Sequence, residues 1–250
     1  MGFLKRNKIK KVSGDQQLIS YSLPFGMLIT TECLVLRRLE YGDSSIIATV
    51  LTPDEGKLTV MVRGARKSKS KFAGLFEVGN VLQLICYLKP NRELQNVKEA
   101  SYAEKLFSLR DSLEKMAMMS AAMELTSQLV HDRERNESIY HTARRFLIWL
   151  NESQLLQLNG FPILQFRLAS ALGVDFQLEG EDNEFRHRLS ENHRHFLSLL
   201  IQGKGQQALS FPLSGLELKS LIHYLDQYLG YHFDGLKPRK SERIFEQYLL

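Results

Sequence analysis

The sequence is poor in the residues that would place it in a specialised class. Only two cysteines occur in 250 residues. Both, Cys33 and Cys86, fall inside apolar, strand-like runs. That spacing excludes a disulfide-stapled scaffold and is expected of buried free thiols in a reducing, cytoplasmic setting. No apolar run reaches the roughly 20 residues that a helix needs to cross a bilayer, so no membrane span is expected. The basic start MGFLKRNKIKK lacks the apolar stretch of a secretory signal, and Arg6 stands where a myristoylation signal needs Ser or Thr.

Clusters that carry chemistry are missing too. In His193-Arg194-His195 the two imidazoles are two residues apart, which on a helix puts them on different faces, and no Cys or third His is spaced to complete a zinc site. Gly64 is followed by Lys67-Ser68, but Arg66 stands where a phosphate-binding loop has its second glycine. Ser214, in Leu-Ser-Gly-Leu, lacks the nucleophile-elbow pattern and reads as a helix cap. No catalytic residue, metal or cofactor is expected.

One absence is the most informative. Between Lys57 and Lys71 there is no Asp or Glu, while six cations occur: Lys57, Arg63, Arg66, Lys67, Lys69 and Lys71. The whole chain carries +5, with ordinary apolar (44%) and charged (24%) contents for a globular protein. The excess is uneven. Residues 1–26 hold five cations against one acid, residues 27–105 twelve against nine, and residues 106–250 sixteen against eighteen. The N-terminal half is the one that would meet polyanions.

What is present reads as strands, then helices. Residues 1–26 are expected to be a disordered basic extension, and Met27 is a plausible start. From Thr31 the chain alternates. Tyr41-Gly42-Asp43-Ser44 and Thr52-Pro53-Asp54-Glu55-Gly56 are turn sequences. After the second, Leu58, Val60 and Val62 point one way, and Lys57, Thr59, Met61 and Arg63 the other. Strand period thus turns two cations outward. Val78–Leu88 and Leu94–Tyr102 supply two more strands around an irregular insert. Five short strands so arranged match an OB-fold barrel over 27–105, making the protein α+β.

From about Leu106 the period becomes helical. Asp111–His131 is expected to bury Met116, Met119, Ala122, Met123, Thr126 and Leu129. Further helices are expected over Glu137–Leu150, over Gln154–Leu172 with an interruption at Gly160-Phe161-Pro162, over His195–Ile201 behind a Ser190 cap, over Leu216–Leu229 behind Ser214, and over Ser241–Leu249. Residues 106–250 therefore form an α-helical domain.

The run Arg63-Gly-Ala-Arg66-Lys67-Ser-Lys69-Ser-Lys71 is the candidate nucleic-acid site. Its small residues let a phosphate backbone approach, and such contacts are blind to sequence and sensitive to salt. Single strands also need aromatic platforms, and Tyr41 is the best exposed candidate; Phe72 and Phe76 are expected to pack the insert onto the barrel. Arg37 and Arg38 point to opposite faces, so at most one serves the same surface.

The stretch MLITTECLVLRRLEYGDSSIIATVLTPDEGKLTVMVRGARKSKSKFAGLFEVGN (27–80), supported by LASALGVDF and LKPRKSERIFEQYL, resembles the RecO family of bacterial recombination mediators. The resemblance implies an OB-fold followed by a helical domain and no catalytic site. It implies binding of single- and double-stranded DNA, annealing of complementary strands, and loading of RecA, together with RecR, onto DNA coated by single-strand-binding protein. Carried over, the family's DNA-binding cations are Arg37, Arg38, Lys57, Arg63, Arg66, Lys67, Lys69 and Lys71. Many members hold a four-cysteine zinc knuckle after the Leu-Gly that matches Leu172-Gly173. Residues 174–215 contain no cysteine, so no zinc is expected there, and Asp175–Arg188 is expected to be the floppiest stretch. A second role implied by the resemblance is capture of the acidic, Phe-ended tail of single-strand-binding protein, with Arg133, Arg135, Arg144 and Arg145 as candidates for the pocket rim. The rival readings are a protein-interaction adaptor and an RNA-binding OB protein, since charge and stacking alone do not distinguish the sugars.

Overall fold

Alternation of apolar and polar residues builds five strands: β1 (Met27–Tyr41), β2 (Ser45–Thr52), β3 (Gly56–Val62), β4 (Val81–Leu88) and β5 (Leu94–Glu104). The computed structural model describes residues 26–176, 189–241, 244 and 247. The expectations for residues 1–25 and for 177–188, and most of the helix expected over Ser241–Leu249, lie outside the described residues.

The strands close in the order β1-β2-β3-β5-β4, β4 returning to β1, with β3 and β5 parallel and the other pairs antiparallel. This is the expected OB-fold barrel. Its interior holds Cys33, Val35, Ala48, Val50, Val60, Val62, Leu84 and Cys86, and both thiols are buried and free. Burial pushes the Cys86 thiol up to about 11. The register of β1 slips between Val35 and Arg37, so Leu36 is buried next to Val35 while Arg37 points to solvent.

The helical body comprises α1 (Leu113–Leu129), α2 (Glu137–Glu152), α3 (Gly160–Ala171), α4 (Glu191–Ile201), α5 (Gly205–Leu209) and α6 (Gly215–His232). Ser112, Asn136, Ser190 and Ser214 cap α1, α2, α4 and α6 through side-chain oxygens that accept backbone N–H bonds. The helix expected to be interrupted at Gly160-Phe161-Pro162 instead starts there. Pro162 falls in the first turn, where its missing N–H costs nothing.

Helix α1 also departs from expectation. It is buried nearly all round, with Ala117, Met118, Ala121 and Leu125 covered as well as the expected stripe, while Met116 is exposed. The reason is position. Its core continues onto Leu34, Leu36, Leu51 and Val81 of the strands on one side and onto α2 and α3 on the other.

The seam between barrel and helices turns on Lys57. Strand period points it off the barrel as expected, but the end of α1 lies there. Its Nζ donates to the carbonyls of Ser127 (3.1 Å) and Val130 (2.7 Å) and lies 3.2 Å from the Asp132 carboxylate. A cation at the negative end of a helix is favourable. Next to it, Gly56 has φ +66°, and a Cβ there would lie 2.3 Å from the Glu134 carbonyl oxygen. The α1–α2 loop is held further by Arg133, whose N–H donates to the Lys57 carbonyl (3.0 Å) and whose guanidinium donates to the carbonyls of Lys89 (3.0 Å) and Arg92. The Tyr140 hydroxyl donates to Glu32 (3.0 Å), and Arg144 pairs with Glu104. Burial, and then the charge of Glu32, raise the Tyr140 phenol above its ordinary pKa.

Replacing Lys57 by Met keeps the stem and removes the donor, leaving two covered carbonyls unpaired. Lys57→Met is expected to cost about 1–3 kcal/mol, read as a lower urea midpoint at neutral pH. An unchanged midpoint would show that the seam does not rest on this ammonium.

Candidate nucleic-acid interface

Past the slip in β1, the side chains that leave the barrel are Arg37, Leu39 and Tyr41. In register beside them come Thr49 and Thr59 next to Arg37, and Ile47 and Met61 next to Leu39. Leu39 and Tyr41 are each 54% exposed, and Arg63 leaves the end of β3 in the open. The outer face of β1–β2–β3 is therefore an apolar and aromatic ledge with an arginine at either end. Tyr41 is the last residue of β1 rather than part of a loop.

The basic tongue, residues 63–80, is folded onto the barrel by successive turns. The N–H groups of Lys67, Ser70, Ala73 and Leu75 donate to the carbonyls of Gly64, Lys67, Ser70 and Phe72 at 3.0–3.2 Å. Gly64 opens it at φ +69°. Beneath, Ala65, Phe72, Leu75 and Phe76 join the barrel core, the two rings edge to face at 6.2 Å, as the pattern predicted. Asn80 closes it. Its Nδ2 donates to the carbonyls of Gly74 (3.0 Å) and Leu75 (2.8 Å), and its Oδ1 accepts from Arg110 (3.0 Å). The carbonyl of Asn80 and the N–H of Gly79 bond the backbone of Val35, both at 2.9 Å, so the tongue is tied to the strand just where its register slips.

The eight carried-over cations do not form one acid-free flank. Arg37, Arg63, Lys67 and Lys69 are exposed, with no acidic partner among the described residues. Lys71 is exposed too, donating to the Lys98 carbonyl at 3.3 Å, with its ammonium 5.0 Å from the Phe72 ring. Arg38, as expected, faces away from Arg37. It pairs with Glu77 and lies 3.6 Å from Glu40. Arg66 lies 3.0 Å from Glu40 and donates to the Gly42 carbonyl at 3.1 Å. Lys57 belongs to the seam. The expectation of an uncompensated run is corrected: the acids absent between Lys57 and Lys71 are brought in from outside it, by β1 (Glu40), by the end of the tongue (Glu77) and by the α1–α2 loop (Asp132).

A second feature lies between α2, α3 and α5. Of the four rim candidates, Arg133, Arg135 and Arg144 are engaged in the seam, Arg135 by Asp54 at 3.5 Å. Arg145 instead lines, with Arg167, a cavity of about 150 Å³ floored by Phe146, Trp149, Ile163 and Leu164. Burial, and then the nearby charge of Arg145, lower the Arg167 pKa from its ordinary value. Neither guanidinium has a carboxylate partner among the described residues. Gly160 makes the floor possible, since a Cβ there would lie 2.1 Å from the Trp149 ring. Sequence reasoning missed Arg167, although it is the lone charged residue in a largely apolar helix. Among the described residues no helix is long and apolar enough to cross a membrane.

Comparison with known proteins adds independent findings. Residues 27–105 match the family described as Recombination protein O N terminal. A DNA repair protein RecO from Chlorobium phaeobacteroides is 34% identical over 211 residues, covering 78% of this chain and 74% of its own length. The RecO protein of Chloroherpeton thalassium is 28% identical over 256 residues, 88% and 99% of the two chains. That of Salinibacter ruber is 33% identical over 147 residues, 59% and 56%.

Asn80→Ala would leave the Leu75 carbonyl without its side-chain donor and take one of two partners from the Gly74 carbonyl, which keeps the Tyr102 hydroxyl, and from Arg110, which keeps the Val78 carbonyl. The expected outcome is a loss of about 1–3 kcal/mol and faster limited trypsin cleavage between Lys67 and Lys71. Cleavage at the wild-type rate would show that the tongue is held without Asn80.

Proposed function

The chain belongs to the RecO family of DNA repair proteins, and on that footing we propose that it acts as a recombination mediator which binds single- and double-stranded DNA without regard to sequence, anneals complementary strands and, with RecR, helps load RecA onto DNA coated by single-strand-binding protein. The observation that carries the DNA part is the juxtaposition of cations that have no acidic partner among the described residues with an exposed ledge. Arg37, Arg63, Lys67, Lys69 and Lys71 neutralise backbone phosphates and release their counterions. Tyr41 gives an unpaired base a surface to stack on, with Leu39 beside it. Annealing needs two polyanions brought together, and a cationic surface lowers their repulsion with no bond made or broken. The protein acts without a catalytic site, in the reducing cytoplasm that its free thiols suit.

Lys67→Glu, Lys69→Glu and Arg63→Glu together are expected to weaken binding to any oligonucleotide at least about thirtyfold near 0.1 M salt, and to flatten the salt slope by about two to three. Annealing of complementary strands slows in parallel. Filter binding equal to wild type at every salt concentration would remove these residues from the site. RNA of the same sequence competing as well as DNA would favour the RNA reading.

The cavity under Arg145 and Arg167 supports the second role. Two guanidinium groups with no carboxylate partner among the described residues, over an aromatic floor, fit the acidic, Phe-ended tail of single-strand-binding protein, the ring below and the carboxylates at the rim. Calorimetry with a synthetic tail peptide is expected to give heat with the wild type and at least about tenfold weaker binding with Arg145→Glu/Arg167→Glu, roughly 1.4 kcal/mol or more, while DNA affinity holds. Equal heats would leave only the DNA role.

A further inference from the structure

The ion pair at Glu40 makes little sense as a stabilising device. Its side chain is 59% exposed, and pairs so open to water contribute little. Yet it sits at the end of β1, on the strand face opposite Leu39 and Tyr41 and so behind the proposed DNA ledge, and reaches under the tongue to two guanidinium groups. Arg66 Nη2 lies 3.0 Å from its Oε2, and Arg38 Nη2 lies 3.6 Å from its Oε1. An acidic group shared by two arginines is the arrangement a backbone phosphate adopts.

We propose that Glu40 is an internal stand-in for a phosphate: it holds Arg66 in the free protein and yields it when DNA arrives. This rests on the DNA-binding reading above and names a regulatory residue within that site. The two arginines are not equivalent. Arg38 also pairs with Glu77 and stays anchored when Glu40 lets go. Among the described residues the Arg66 guanidinium has only the Gly42 carbonyl besides Glu40, its side chain is 33% exposed, and its neighbour Lys67 points to solvent with no acidic partner there. A strand running over Tyr41 to Lys67 therefore passes Arg66. A dense polyanion brings several phosphates at once and displaces the carboxylate, whereas a single anion gains nothing over it. Glu40 thus sets a threshold that favours nucleic acid over small anions, and its charge, by holding Arg66, lowers the affinity of the surface beside it.

The test is oligonucleotide binding by fluorescence anisotropy across a salt series. Glu40→Gln is expected to tighten binding about three- to tenfold at low salt and to steepen the salt slope by about one. Adding Arg66→Ala to Glu40→Gln should cancel the gain, because the effect runs through that arginine. Asp43→Asn removes a nearby exposed charge that has no cationic partner among the described residues, and is expected to change affinity less than about twofold. Unchanged or weaker binding by Glu40→Gln, or an equal gain from Asp43→Asn, overturns the inference. Failure of the parent reading looks different: the wild type does not bind, or Lys67→Glu and Lys69→Glu leave binding untouched, and then both readings fall.

Discussion

The contact between the Lys57 ammonium and the carbonyl end of α1 joins the two halves of the protein, and it also decides where charge is left for solvent. A lysine on the outer face of a barrel strand is normally free. Here α1, capped by Ser112 at its start, ends over β3, and Lys57 donates to the carbonyls of Ser127 and Val130 at that end. With Gly56 pressed under the Glu134 backbone and Arg133 bridging to the β4–β5 loop, one end of the barrel is closed by the helical body. The exposed ledge proposed to meet DNA is thereby confined to the end that carries the β1–β2 turn and the tongue.

At that end the fold separates two kinds of cation. Arg38 and Arg66 are structural as well as charged: they tie β1, the turn at Gly42 and the tongue through Glu40 and Glu77. Arg37, Arg63, Lys67 and Lys69 have no acidic partner among the described residues and stay exposed to solvent. The helical body repeats the arrangement in a different chemistry. Arg144 is committed to Glu104 while its neighbour Arg145 faces Arg167 across an apolar floor. In both places one member of an adjacent arginine pair is used for structure, and the other is left with unspent charge.

Much of this was legible in the sequence. The alternation Leu58-Thr59-Val60-Met61-Val62 placed β3 and its faces correctly, the TPDEG turn placed the hairpin, and opposite orientation of Arg37 and Arg38 followed from a period of two. Phe72 and Phe76, four apart in a basic insert, signalled that the tongue is anchored by apolar side chains. Helix caps at Ser190 and Ser214 were readable because capping is a local bond between a side chain and a nearby backbone N–H. The chain around Pro162 was misread for a reason equally local, since a helix start and a helix break look alike when only the proline is considered.

What the amino-acid order determined by itself, then, was everything set by short range: strand faces, turns, caps, the barrel class, and the bias of positive charge toward the N-terminal half. What only the tertiary structure decided was pairing across distance. Glu40, Glu77 and Asp132 lie outside the acid-free run, and no local rule says that the barrel and α1 will carry them to Arg66, Arg38 and Lys57. Arg167 meets Arg145 only after α3 packs on α2. Coulomb interactions act through space and fall off within about 10 Å at ordinary salt, so the charge a ligand meets depends on which side chains the fold makes neighbours, whatever their order along the chain.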